Sequence, residues 1–232
     1  MLIKGTNEKL ATAWDSYYRF YGTGNFKAYG NAMSLLWGDN FINNSEFASG
    51  TKTNLAGLFY GTTQLIDASN LVLPALTCTL GCYNGTFRGC TNLTTAPQLP
   101  ATKSAEDCYS SMFEGCINLE VAPEINLTNM SKNSCARMFC MSRSTTLTTP
   151  KMTKSPILRV STPGDYCYKE MFKGNGNLVE VTCLLSRNSG CDNWLLNVSS
   201  TGIFKKASGV SWNRTASGVP SGWTIEDYVE PS

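Results

Sequence analysis

The sequence predicts an α/β solenoid with one short strand and one short helix per coil of about 26 residues, closed by a β-rich N-terminal cap and an aromatic C-terminal cap. The first sign is a self-similar period. Phe59, Phe87, Phe113, Phe139 and Phe172 are separated by 28, 26, 26 and 33 residues. The second is the set of columns that travel with them. Cys82, Cys108 and Cys167 lie five positions before the Phe, with Ser134 in a degenerate copy, and Tyr83, Tyr109, Cys135 and Tyr168 lie four before. Gly61, Gly89, Gly115 and Gly174 lie two after, and Leu65, Leu93, Leu119 and Leu178 six after. The third is a change of apolar spacing inside each copy, from helix-like to strand-like.

The copy at 104–127 shows the expected elements in order. Ala105, Cys108, Tyr109, Met112, Phe113 and Cys116 fall at the spacing of an amphipathic helix stripe. Ser104 supplies an N-cap and Gly115 a left-handed stop. Leu119, Val121 or Ala122, and Ile125 follow as a short extended piece, interrupted at Pro123, which forbids a long central strand. Such a unit has only one face to bury, so it is stable only when its neighbours stack on it. The Met112, Met138 and Met171 column shares the phase of the Phe column and is expected in the core.

These patterns divide the chain into a capping region of short strands at 1–50, a solenoid of about four to five coils at 51–185 and a C-terminal cap at 186–232. An insertion is expected around 140–163. The first segment is rich in aromatics (Tyr17, Tyr18, Phe20, Tyr21, Phe26, Tyr29), and the last carries Phe204, Trp212 and Trp223 without the repeat spacing.

Composition excludes several functions. Charged residues make up only 16% of the chain, so the surface is covered largely by Ser, Thr, Asn and Gly. A net charge of +2 without a long run of either sign gives no footprint for nucleic acid or anionic lipid. No stretch reaches the roughly 20 apolar residues that span a bilayer, and MLIKGTNEKLATAWDSYYRF lacks the apolar run of a signal peptide. No membrane insertion is expected, and either the chain bypasses the general secretory route or its leader is missing. With no histidine, Ser-His-Asp and Cys-His nucleophiles and histidine zinc sites are excluded. Cys78 and Cys82 form a C-x3-C without a second such pair, so no metal site is expected. Glu106 and Asp107 are sequence neighbours whose side chains do not face each other on a helix. The chain is therefore expected to have no catalytic residue, no metal and no cofactor.

The ten cysteines follow the repeat and are expected as free, buried thiols. On stacked helices, Cys82 and Cys108 would lie about 8–10 Å apart, beyond the roughly 7 Å limit of a bridge; Cys183 with Cys191 is left open. Arg88 and Glu114 occupy one repeat position and are expected to pair across adjacent coils as an exposed pair contributing about 0–1 kcal/mol.

MFEGCINLEVAP, TFRGCTNLTTAPQLPAT and SGVPSGWTIED resemble the BspA-like leucine-rich repeat proteins of gut and oral anaerobic bacteria and their phages. The resemblance covers about residues 50–232. Around Cys135–Pro163 the pattern is interrupted, with Gly and Cys lost from their usual columns. The resemblance implies surface exposure and a role in adhesion or protein binding, and carries over no catalytic residue.

A solenoid places equivalent side chains in parallel rows, which suits binding through many weak contacts. The expected ligand face comprises Thr94 and Glu120 in one row, Gln98 and Glu124 in another, and Glu180 beyond the insertion. The expected function is a non-catalytic adhesion module on a bacterial surface, outside the cell, whose partner is a protein or glycan of a host or neighbouring cell. The alternative is a phage virion component, a head or tail fibre, in which case a trimer is expected.

Overall fold

The computed structural model describes residues 3–7, 9–13, 16–141, 149–187 and 189–231. The segments expected to be repeat helices are columns of consecutive tight turns, and the main-chain bonds explain why. Along 81–90, every even-numbered amide donates back three residues, as Thr86 does to Tyr83 at 3.2 Å. Every odd-numbered amide instead crosses to the next coil: Tyr83 to Cys108, Gly85 to Ser110, Phe87 to Met112 and Gly89 to Glu114. An α-helix spends its interior amides on its own carbonyls four residues back, so it has none left to bond a neighbouring coil.

The turns close because the chain enters the left-handed region at every fourth residue. Gly81, Gly85 and Gly89 do so in one coil, and Asp107, Ser111 and Gly115 in the next. Three such residues in one short span are incompatible with a helix. The repeat period here is therefore four, not 3.6. It turns the pairs Cys82–Tyr83 and Thr86–Phe87, and then Cys90, towards the interior, all essentially without exposure. Among the described residues, helix is limited to α1 (Ser34–Trp37) and a 3-10 stretch at Gly38–Asn43.

The other wall of the coil is a parallel ladder. After an antiparallel pair, β1 (Ala11–Ala13) and β2 (Ser16–Tyr17), strand β3 (Phe26–Asn31) pairs in parallel with β4 (Leu65–Val72). At the opposite end β5 (Lys154–Leu158), β6 (Glu180–Cys183), β7 (Gly202–Lys206) and β8 (Trp223–Asp227) form a four-stranded parallel sheet in chain order. Between the two, the ladder thins to the single bridges Asp67–Thr95 and Thr95–Val121. Here Pro97 and Pro123 remove donors, as expected for a proline-interrupted strand. Pro156 is tolerated in β5 because β5 is an edge of its sheet. Of the insertion expected around 140–163, residues 142–148 lie outside the described residues, and 154–158 form β5.

The core is a stack of like on like. Phe59, Phe87, Phe113, Phe139 and Phe172 form one column with ring centroids 5.3–5.6 Å apart and planes within 10° of parallel. Trp194 continues the column, and Trp212 and Phe204 pack against it. Met112, Met138 and Met171 are fully buried beside the Phe column, as expected. The cysteines that follow Gly89 and Gly115 have a bonding role as well. The Cys90 thiol donates to the Phe59 carbonyl and the Cys116 thiol to the Phe87 carbonyl, at 3.0 and 3.1 Å. Asparagine side chains add further bonds between coils: Asn118 donates to the Thr91 carbonyl and Asn177 to the Pro150 carbonyl.

Candidate binding surface

The predicted ligand face divides once the ladder is in place. Thr94 and Glu120 are exposed and lie next to each other, flanking the Thr95–Val121 bridge. Gln98 and Glu124 are also exposed, on the proline-interrupted stretches. Glu180 does not belong with Thr94 and Glu120. It lies two positions after Leu178, in the column of Thr95 and Val121, and is half-buried in β6 opposite Lys154 of β5.

Lysines answer the acids. Glu120 meets Lys151 at 3.4 Å, and Glu180 meets Lys205 at 3.1 Å and Lys154 at 3.6 Å. Lys27 pairs with Asp67 in the same way at the other end. The strand face is thus a charge-alternating, nearly neutral surface. The Thr94 hydroxyl is partly committed to the fold, donating to the Ile66 carbonyl at 2.9 Å. Val121, which the row prediction passed over, is 77% exposed at the centre of this face.

The turn face carries a second charge network. Arg88 and Glu114 pair as expected, but Glu114 is not exposed: only 2% of its side chain is open to solvent. The next position in the column is Cys140 rather than a basic residue, and the second cation comes instead from Arg137 three residues earlier. Its guanidinium binds both Glu114 oxygens, one at 2.8 Å and the other at 3.5 Å, and also reaches Glu170, which holds Lys173 at 2.7 Å. At the other end, Arg88 and Arg19 sit over the Tyr60 ring. This network ties successive coils together.

All ten cysteines are buried and unbridged. Distance does not keep Cys82 and Cys108 apart as expected, because the coils stack through main-chain hydrogen bonds at about 4.8 Å rather than at the distance of packed helices. Burial pushes the thiols of Cys90, Cys167 and Cys183 up to about 12, so they are poor nucleophiles. Among the described residues, no group of cysteines and carboxylates is arranged to hold a metal ion, and no helix is long and apolar enough to cross a membrane.

A cleft of about 590 Å³ opens at the N-terminal end of the solenoid, between β3 and the segments around residues 3–5, 20–24 and 34–41. Its floor is the end of the core itself, Leu58, Phe59 and Leu71, and Phe20, Phe26 and Phe41 form its walls. Sequence reasoning assigned this region to a cap and missed the cleft. Only the density of aromatics in 17–29 hinted at it.

The architecture defines the chain as a solenoid with a parallel β-ladder. No family model, curated protein or solved structure matches it.

Proposed function

We propose that the chain is a non-catalytic recognition module, related in kind to the BspA-like leucine-rich repeat proteins, that binds an extended protein or glycan ligand outside the cell. One observation carries this reading. Thr94, Gln98, Glu120, Val121 and Glu124 project from neighbouring coils whose backbones are fixed to each other by hydrogen bonds and by a continuous aromatic column. A ligand with a repeating structure meets side chains at equivalent positions of successive coils, and little ordering entropy is lost on binding. The burial of the thiols and the pairing of Glu120 and Glu180 with lysines are consistent with a surface that binds without reacting.

The purified protein tests this on carbohydrate and extracellular-protein arrays, with turnover of each bound ligand followed in parallel. Binding is expected to weaken by about tenfold in the double variant E120K/E124K, with the thermal melt unchanged. Chemical conversion of a bound glycan, or binding indifferent to both substitutions, sinks the reading. Fractionation of the native source is expected to place the polypeptide in the cell envelope; stoichiometric recovery in phage particles would make it a virion component.

A further inference from the structure

The cleft at the N-terminal end has the shape of a trough laid along a strand edge. Every residue from 26 to 32 lines it. Six residues of β3 at about 3.3 Å each give it a length of about 20 Å, matched to an extended chain rather than a compact molecule. β3 has one strand partner, β4, among the described residues. In a parallel pair alternate amides and carbonyls point away from the partner, so the outer edge of β3 presents bonding groups to the trough. The wall opposite is partly bare backbone. A Cβ added at Gly24 on that wall, or at Gly30 within β3, would meet nothing within 4 Å.

The lining also gives the chemistry. Its floor and walls are Phe and Leu side chains, its polar rim includes Lys4 and Lys27, and it contains no carboxylate. Asp39 and Asp67, which pair with these two lysines, lie outside the lining. Exposed pairs of this kind contribute about 0–1 kcal/mol and exchange readily.

We propose that the edge of β3 and the trough beside it bind an extended peptide segment of a partner protein, in which apolar side chains alternate and an acidic residue lies at the flank. The peptide adds a strand to β3, as β4 does on the other side. Its main chain bonds the free edge, its alternate apolar side chains enter the trough over Phe20, Phe26 and Phe59, and its carboxylate meets Lys4 or Lys27. This is strand addition with side-chain pockets supplying specificity.

The probe is a set of fluorescein-labelled synthetic decapeptides in which Val, Leu or Phe alternates with Thr and Glu, titrated against the full chain by fluorescence anisotropy. Saturable binding is expected for the alternating peptides, and not for scrambled peptides of the same composition. N-methylation of one alternate set of peptide amides should abolish binding, while methylation of the other set changes it by less than about twofold. Gly24→Trp fills the trough where the backbone has room, and should weaken binding by at least about tenfold with an unchanged melt. Glu124→Lys, on the separate strand face, should leave peptide binding intact, so failure here and failure of the adhesion reading are told apart. Indifference to N-methylation, no binding by any alternating peptide, or sedimentation showing the edge taken up by a second copy of the chain would each overturn the proposal.

Discussion

Glu114 shows how much one side chain's surroundings decide. Read as a surface pair with Arg88 it would be nearly silent. It is instead buried between Arg88 and Arg137, and removing one member of a buried pair leaves its partners uncompensated. Glu114→Ala should cost about 3 kcal/mol in urea unfolding, and Lys154→Ala, on an exposed ammonium, less than about 1 kcal/mol. Equal effects would mean that burial of the network contributes nothing. Phe113 is the matching apolar case. It is sandwiched between Phe87 and Phe139 and fully buried, so Phe113→Ala should cost about 4 kcal/mol; a loss below about 2 kcal/mol would show that the column collapses to fill the gap.

The turn column is the element that repeats, and its cost is conformational. The position filled by Gly85 in one coil is filled by Ser111 in the next, and both have positive φ, 59° and 55°. A side chain in this region carries a penalty of about 1–2 kcal/mol that glycine avoids. Ser111→Gly should therefore stabilise by about 1 kcal/mol and Gly85→Ala destabilise by about as much. The second comparison isolates conformation, because the added Cβ comes no closer than 3.7 Å to the Arg88 side chain. An α-helix would give the opposite signs, so the pair of melts discriminates the two structures directly.

At the scale of the whole molecule the core carries rows of buried thiols and phenols. Burial, first of all causes, raises the thiols of Cys90, Cys167 and Cys183 from the ordinary 9.0 to about 12, and lifts the phenols of Tyr109 and Tyr168 well above 10.0. Each group is raised in the folded state, so its contribution to stability is complete below the unfolded value and is lost as pH climbs towards the folded one. The melting temperature should be level to about pH 9 and fall between about pH 9 and 12. A melt unchanged up to pH 11 would show that these groups are not sequestered. In native protein at pH 8 an aromatic disulfide reagent should modify none of the thiols, and in denaturant all ten.

The sequence by itself determined the solenoid, its period and its interior. The Phe, Tyr, Cys and Met columns could be read because a coil buries the same positions each time, and the prolines announced where the ladder would thin. It did not distinguish a helix from a turn column. Over about three turns, a period of four departs from 3.6 by little more than one residue, so Cys108, Tyr109, Met112, Phe113 and Cys116 satisfy both. The sign that separates them was present in Gly81, Gly85 and Gly89, but single glycines read as helix stops. Only the tertiary structure decided the rest. It buried Glu114, supplied Arg137 in place of Cys140, and gave Glu120 and Glu180 their lysines. It also opened the trough beside β3. Each of these depends on which coil lies against which and how the ends are covered, and a pattern that repeats along the chain holds no record of where its own ladder stops.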